Sequence, residues 1–81
     1  MSQDEIYERL ATAVGEEFEI EPEALRREAA LRADLGIDSL DMVDLAVVVE
    51  RTFGVRLGKE DLVSARTLER LAELIGSRLD G

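Results

Sequence analysis

The residue with the most chemical potential in this chain is Ser39. It stands in the segment Asp34-Leu35-Gly36-Ile37-Asp38-Ser39-Leu40, with Asp41 and Asp44 close behind. A hydroxyl at the start of a helical pattern sits among backbone N–H groups that have no intrahelical acceptor, and such an end favours a phosphate. An isolated Asp-Ser-Leu also serves as an ordinary helix cap, so the tripeptide alone leaves both uses open. Catalysis by Ser39 itself is poorly supported. The chain has no His to act as its base, and its sole Lys, Lys59, lies in another segment. Gly36 lacks the flanking glycines of a Gly-x-Ser-x-Gly elbow, and no Gly-rich phosphate loop with a Lys occurs. Asp34, Asp38, Asp41 and Asp44 do not follow the alternate ligands, Gly and distal Glu of a calcium loop, so no metal site is expected. Cys is absent too, which removes thiolate nucleophiles, disulfides and Cys-based zinc or iron sites. Any demanding chemistry must come from a group the chain does not encode.

The elements that position Ser39 have to fit within 81 residues, which suffice for one domain (1–81) with a modest core and no large enclosed active site. Hydrophobic residues make up 46% of the chain and there is one Pro, so it reads as folded. Nineteen acidic residues against ten basic ones give a formal charge of -9. Such a surface repels nucleic acid and anionic lipid and steers towards proteins that present Arg and Lys. No run approaches the ~18 apolar residues of a membrane span, and the start lacks a basic, then apolar, leader. A cytoplasmic monomer without stable membrane insertion is the expectation.

Ser2 and Glu5 stand at capping-box spacing before Ile6, Leu10, Val14 and Phe18, which predicts a helix over 3–17. Periodicity fails over 19–38, where Pro22 interrupts and Ile20, Leu25, Leu31 and Leu35 are isolated apolar residues. This is a long loop, pinned by those side chains and leading to Ser39; loops of that length are often functional. A second helix is expected over 39–53, capped by Asp38 or Ser39 and stopped by Gly54. Residues 59–63 have room for about one helical turn, anchored by Leu62. Thr67 then caps a fourth helix ending near Arg78, with Leu68, Leu71, Ala72, Ile75 and Leu79 as its stripe. No strand pair stands out. The fold class is all-α: a small bundle of three main helices plus one short helix, with a long loop between the first and second helices.

The second helix is apolar on two faces. Met42, Leu45, Ala46, Val49 and Phe53 form a core stripe, while Leu40, Val43 and Val47 lie opposite, surrounded by Asp44, Glu50 and Arg51 and flanked by Asp41. One reading is a helix buried on most sides with charges at its rim. The other is a docking strip bordered by carboxylates, suited to a partner with an apolar groove edged by Arg and Lys.

The segment around Ser39 resembles that of the acyl carrier protein family, in which a Ser within Leu-Gly-x-Asp-Ser-Leu accepts phosphopantetheine from coenzyme A. The likeness extends to Ile6 and Leu10, Pro22, residues 34–43, Phe53 and residues 67–75. The resemblance implies a carrier, not an enzyme, that holds acyl intermediates as thioesters on a 4′-phosphopantetheine arm at Ser39, flanked by Asp38; the start at Met1 and the end soon after the fourth helix favour a freestanding one. Its partners would be a phosphopantetheinyl transferase and the acyl-transferring, condensing and modifying enzymes of fatty acid or polyketide synthesis, docking through basic patches. Leu40, Asp41, Val43, Asp44, Val47 and Glu50 would form the recognition surface. Arg51 departs from the family pattern, where an acidic residue is frequent, and so bears on which partners are met. The likeness also implies some shelter for the acyl chain, with Leu45, Val49, Phe53 and Ala72 as candidate lining; ordinary packing is the alternative.

Two other readings stay open. An aminoacyl carrier of the D-alanyl type is one, although aminoacyl carriers more often resemble Gly-Gly-x-Ser where this chain has Gly36-Ile37-Asp38-Ser39. The second, an unmodified helical adaptor, leaves the long loop, the Asp-Ser-Leu start and the two-faced helix unexplained.

Overall fold

In the computed structural model, residues 1–80 are described; Gly81, the last residue of the expected 1–81 domain, lies outside them. Helix α1 spans Gln3–Phe18, α2 Ser39–Phe53, α3 Lys59–Ala65 and α4 Leu68–Asp80. No strand occurs among the described residues, so the all-α bundle of three main helices and a short one is the observed fold.

Helix α1 begins where the sequence places it. The Glu5 amide donates to Ser2 Oγ at 3.2 Å and the Ser2 amide to Glu5 Oε1 at 3.0 Å. Ile6, Tyr7, Leu10 and Val14 are buried on one side. The helix ends at Glu19, whose φ of 52° and ψ of 51° are left-handed. Helix α1 packs on α4 and on α2, while α3 bridges α2 and α4. Because α2 meets both α1 and α3, its buried arc is wider than a single stripe: Met42, Leu45, Val48, Val49 and Phe53 are all buried, and Ala46 is half-buried.

The long connection is more structured than its sequence suggests. Pro22–Ala24 forms one 3₁₀ turn. Tyr7 Oη donates to the Leu25 carbonyl at 2.8 Å, and the Arg27 guanidinium lies 4.4 Å from the Tyr7 ring centre while pairing with Asp4 at 3.1 Å. Further on, the connection runs against the entrance of α4. The Leu31 amide donates to the Arg66 carbonyl at 2.7 Å, the Leu68 amide to Ala29 at 3.1 Å and the Glu69 amide to Arg27 at 2.9 Å, around an isolated antiparallel bridge between Ala30 and Thr67. Of the expected pins, Leu31 is buried, whereas Ile20, Leu25 and Leu35 are only partly covered. Ala29 and Ile37 supply the remaining anchorage, at 0% and 1% exposure.

Three helix ends lie beyond the sequence expectation, α1 reaching Phe18 where residue 17 is expected. Helix α3 has seven residues, extending beyond the single expected turn so that Ala65 as well as Leu62 is buried. Helix α4 runs on to Asp80. Leu79 keeps the helical register of the stripe yet is 40% exposed, because the last turn projects past the residues that cover Leu68 to Ile75. Thr67 does cap α4, accepting from the Arg70 amide at 3.2 Å.

Candidate functional site

Ser39 is the first residue of α2, and the turn before it is built for that position. Gly36 takes φ of 70°, a left-handed conformation that costs Gly little. The next residue, Ile37, drops its side chain into the core and donates its amide to the Leu31 carbonyl at 2.9 Å. The chain then turns outward, leaving Asp38, Ser39 and Leu40 exposed. Asp38, not Ser39, is the cap. Its Oδ1 accepts from the Leu40 and Asp41 amides, both at 3.0 Å, while Asp41 Oδ2 accepts from the Asp38 amide at 3.3 Å. The Asp41 amide bond is the main influence holding the Asp38 carboxyl below the usual carboxylate range; the Leu40 amide, the Asp41 side chain and the charge of Arg32 add to it.

This arrangement corrects one expectation. The sequence suggested a hydroxyl surrounded by free N–H groups, but the Asp38 carboxylate already occupies two of them, and the Met42 amide is bonded to the Asp38 carbonyl at 3.0 Å. The helix end is therefore satisfied and carries negative charge beside the hydroxyl. The Ser39 hydroxyl itself makes no hydrogen bond among the described residues. Exposed and unengaged, it suits covalent attachment of a phosphodiester that extends into solvent, and it requires no closed phosphate cradle.

Beyond Ser39, α2 presents the outward strip. Leu40, Val43 and Val47 are 81%, 57% and 55% exposed, so the alternative of a helix buried on most sides does not hold. Asp44 and Glu50 are exposed beside the strip and Asp41 is half-covered at its start. Val63 of α3, 48% exposed, is a further apolar surface residue that helical spacing on α2 could not reveal. Arg51 is drawn to Glu17 of α1 at 3.2 Å, and Arg56 pairs with Glu50 at 3.2 Å. The Arg that departs from the family pattern is thus tied to the neighbouring helix.

The candidate acyl-chain lining is packed. Leu45, Val49 and Ala72 are at most 1% exposed and Phe53 is 9% exposed, all within one core cluster. A cavity of about 290 Å³ lies instead one turn along from Ser39, lined by Leu31, Met42, Leu62 and Val63, with Arg32 and Arg66. Sequence reasoning could not find the two Arg residues, since the pairing between 31 and 66 brings them together across a long separation.

Residues 8–75 match the family model described as a phosphopantetheine attachment site. The acyl carrier protein of Thermosynechococcus vestitus is 32% identical over 79 residues, covering 98% of both chains. That of Saccharopolyspora erythraea is 38% identical over 74 residues, 91% of this chain and 78% of its own. The meromycolate extension acyl carrier protein of Mycolicibacterium aurum is 43% identical over 67 residues, 83% of this chain and 69% of its own. No helix of the structure is long and apolar enough to cross a membrane. With its helical bundle, a free hydroxyl at the start of α2 and these matches, the chain belongs to the acyl carrier protein family, whose prosthetic group is 4′-phosphopantetheine.

Proposed function

We propose that Ser39 bears the 4′-phosphopantetheine arm and that Leu40, Asp41, Val43, Asp44, Val47 and Glu50 form the surface by which partner enzymes recognise the carrier. The observation that carries this reading is the exposed, unbonded Ser39 hydroxyl at the head of an exposed apolar strip. In the attachment, a bond forms between Ser39 Oγ and the β-phosphorus of coenzyme A while the pyrophosphate linkage breaks. Adenosine 3′,5′-bisphosphate leaves, and the hydroxyl proton passes to a base of the transferase, because this chain has no His to take it. The bound arm supplies a terminal thiol, the nucleophile and acyl carrier that a chain without Cys lacks.

The residues of the chain then have two tasks. The Asp38–Asp41 capping pair fixes the start of α2 and so the place from which the arm emerges. The strip and its carboxylates steer and seat cationic enzymes, chiefly by accelerating encounter. In this reading a single domain acts as a cytoplasmic monomer. It serves a phosphopantetheinyl transferase and the acyl-transferring, condensing and modifying enzymes of fatty acid or polyketide synthesis. The test of the surface is charge reversal. Asp44→Lys should lower kcat/KM for a transferase several-fold at low salt, with the far-UV spectrum unchanged and the gap closing as salt rises. An unchanged kcat/KM at low salt would remove Asp44 from the recognition surface.

A further inference from the structure

The cavity beside the start of α2 carries positive charge in a chain with 19 acidic and ten basic residues. Its floor is apolar: Leu31, Met42 and Leu62 are each at most 1% exposed. Arg32 and Arg66 complete the lining. Arg26, Arg27, Arg51, Arg56 and Arg78 each pair with a carboxylate, but Arg32 and Arg66 pair with none among the described residues. Arg9 and Arg70 also lack an ion pair, but the pockets they line hold Glu8 and Glu16, and Asp61 and Glu73, whereas no carboxylate lines the cavity of Arg32 and Arg66.

The backbone fixes both Arg residues near Ser39. The Arg66 carbonyl accepts from the Leu31 amide at 2.7 Å, which sets Arg32 next to Arg66 across the chain. The Leu31 carbonyl accepts from Ile37 at 2.9 Å, two residues before Ser39. Met42, on the floor, follows Ser39 by three positions and shares its side of α2. Arg66 also occupies a backbone conformation that disfavours its own side chain. Its φ is 72° and its ψ -42°, and the Thr67 amide reaches the Ala65 carbonyl at 2.8 Å, the tight three-residue turn that is rare and strained for L residues. A Gly would meet the backbone requirement without strain. An Arg there lines the cavity at a conformational cost.

We propose that this cavity receives an acyl cargo ending in a carboxylate, with its methylene groups over Leu31, Met42 and Leu62 and its anionic end between Arg32 and Arg66. The proposal rests on the reading that Ser39 bears the arm. Guanidinium groups bind carboxylates through charge-assisted, often paired hydrogen bonds, and an apolar floor accommodates the short chain between. The phosphodiester of the arm is the other anion within reach of the two Arg residues, and the experiment separates the two sources.

A transferase is used to load the full chain from coenzyme A, butyryl-coenzyme A or succinyl-coenzyme A. The latter two cargoes match in carbon number and differ in the terminal carboxylate. The Nε–H signals of Arg32 and Arg66 are then followed by nitrogen-15 NMR. The succinyl form should shift them through charge-assisted hydrogen bonds, while the butyryl form, whose chain ends in a methyl group that accepts none, should leave them close to where the arm alone leaves them. The arm alone should leave them near their unmodified positions. At the remaining Arg, the excess should disappear in Arg32→Gln and in Arg66→Gly, the latter keeping the fold because Gly accepts the positive φ. Equal shifts for the two cargoes would overturn the proposal. So would a full shift with the bare arm, which would assign the pair to the phosphodiester. A wild-type chain that takes up no unit at all would instead overturn the Ser39 reading, and this proposal with it.

Discussion

Two large aliphatic residues flank Ser39, and the structure sends them to opposite destinations. Ile37, two positions before, is 1% exposed; Leu40, one position after, is 81% exposed. Ile37 belongs to the core cluster and its amide is bonded to Leu31, so its side chain ties the turn before Ser39 to the bundle. Truncating a buried Ile to Ala removes favourable burial and leaves a cavity, typically costing about 2–5 kcal/mol. We expect about 3 kcal/mol for Ile37→Ala and about 1 kcal/mol for Ile37→Val, which removes one methylene group. A domain of this size has a total stability of about 4–12 kcal/mol, so the Ala variant stays measurable only if the wild type lies in the upper part of that range, whereas the Val variant is measurable throughout. Leu40→Ala should change stability by less than ~0.5 kcal/mol, as expected for a surface site. Urea unfolding followed by far-UV circular dichroism gives all three values. Leu40→Ala should also slow modification by a transferase, since it removes apolar surface next to Ser39, the proposed attachment point, while Ile37→Val should leave that rate close to wild type. A stability loss above about 1.5 kcal/mol for Leu40→Ala, or a negligible loss for Ile37→Ala, would refute the assignment of the two residues to docking strip and core.

Two further outcomes concern pH. The Asp38 carboxyl is held below its ordinary value by the amides it caps, so its stabilisation is present above about pH 4, the unfolded value, and disappears as pH falls through the lower folded value. The stability difference between wild type and Asp38→Asn, which keeps a capping oxygen but no charge, should therefore be largest near neutrality and shrink below pH 4 in parallel urea titrations; a constant difference would contradict the role of charge. Tyr7 behaves in the opposite sense. Burial raises its phenol pKa, so the folded state favours the protonated form, and the stabilisation is complete below about pH 10 and lost as pH rises past that value. Tyr7→Phe should cost about 1 kcal/mol at pH 7 through the lost bond to Leu25, and the stability loss expected of the wild type as pH rises past about 10 should be smaller in it.

Much of this arrangement is legible in the sequence because its signals are local. Ser2 with Glu5, Gly54 after Phe53 and Thr67 before Leu68 mark helix ends through bonds or turns spanning a few residues. The two faces of α2 follow from helical spacing, which separates Leu40, Val43 and Val47 from Met42, Leu45 and Val49. What escapes is set by distant parts of the chain. Nothing near Ala29 or Ala30 announces that this stretch pairs with the entrance of α4, so the long connection reads as an irregular loop when it is a bonded strap. Arg51 reads as part of the border of the strip, yet Glu17, far away in sequence, holds it towards α1. The helix start reads as a set of open N–H groups because either Asp38 or Ser39 could cap it, and only the backbone geometry shows the Asp38 carboxylate taking both bonds. Arg32 and Arg66 gain meaning only from the fold, which brings them to one cavity.

The central claim is that Ser39 is the attachment point of the arm, and mass spectrometry tests it most directly. After incubation with coenzyme A and a phosphopantetheinyl transferase, the intact wild-type chain should gain one phosphopantetheine unit, fragmentation should place it on Ser39, and Ser39→Ala should gain nothing. A unit localised to Ser2, Ser64 or Ser77, or a wild-type chain left unmodified by several competent transferases, would contradict the account.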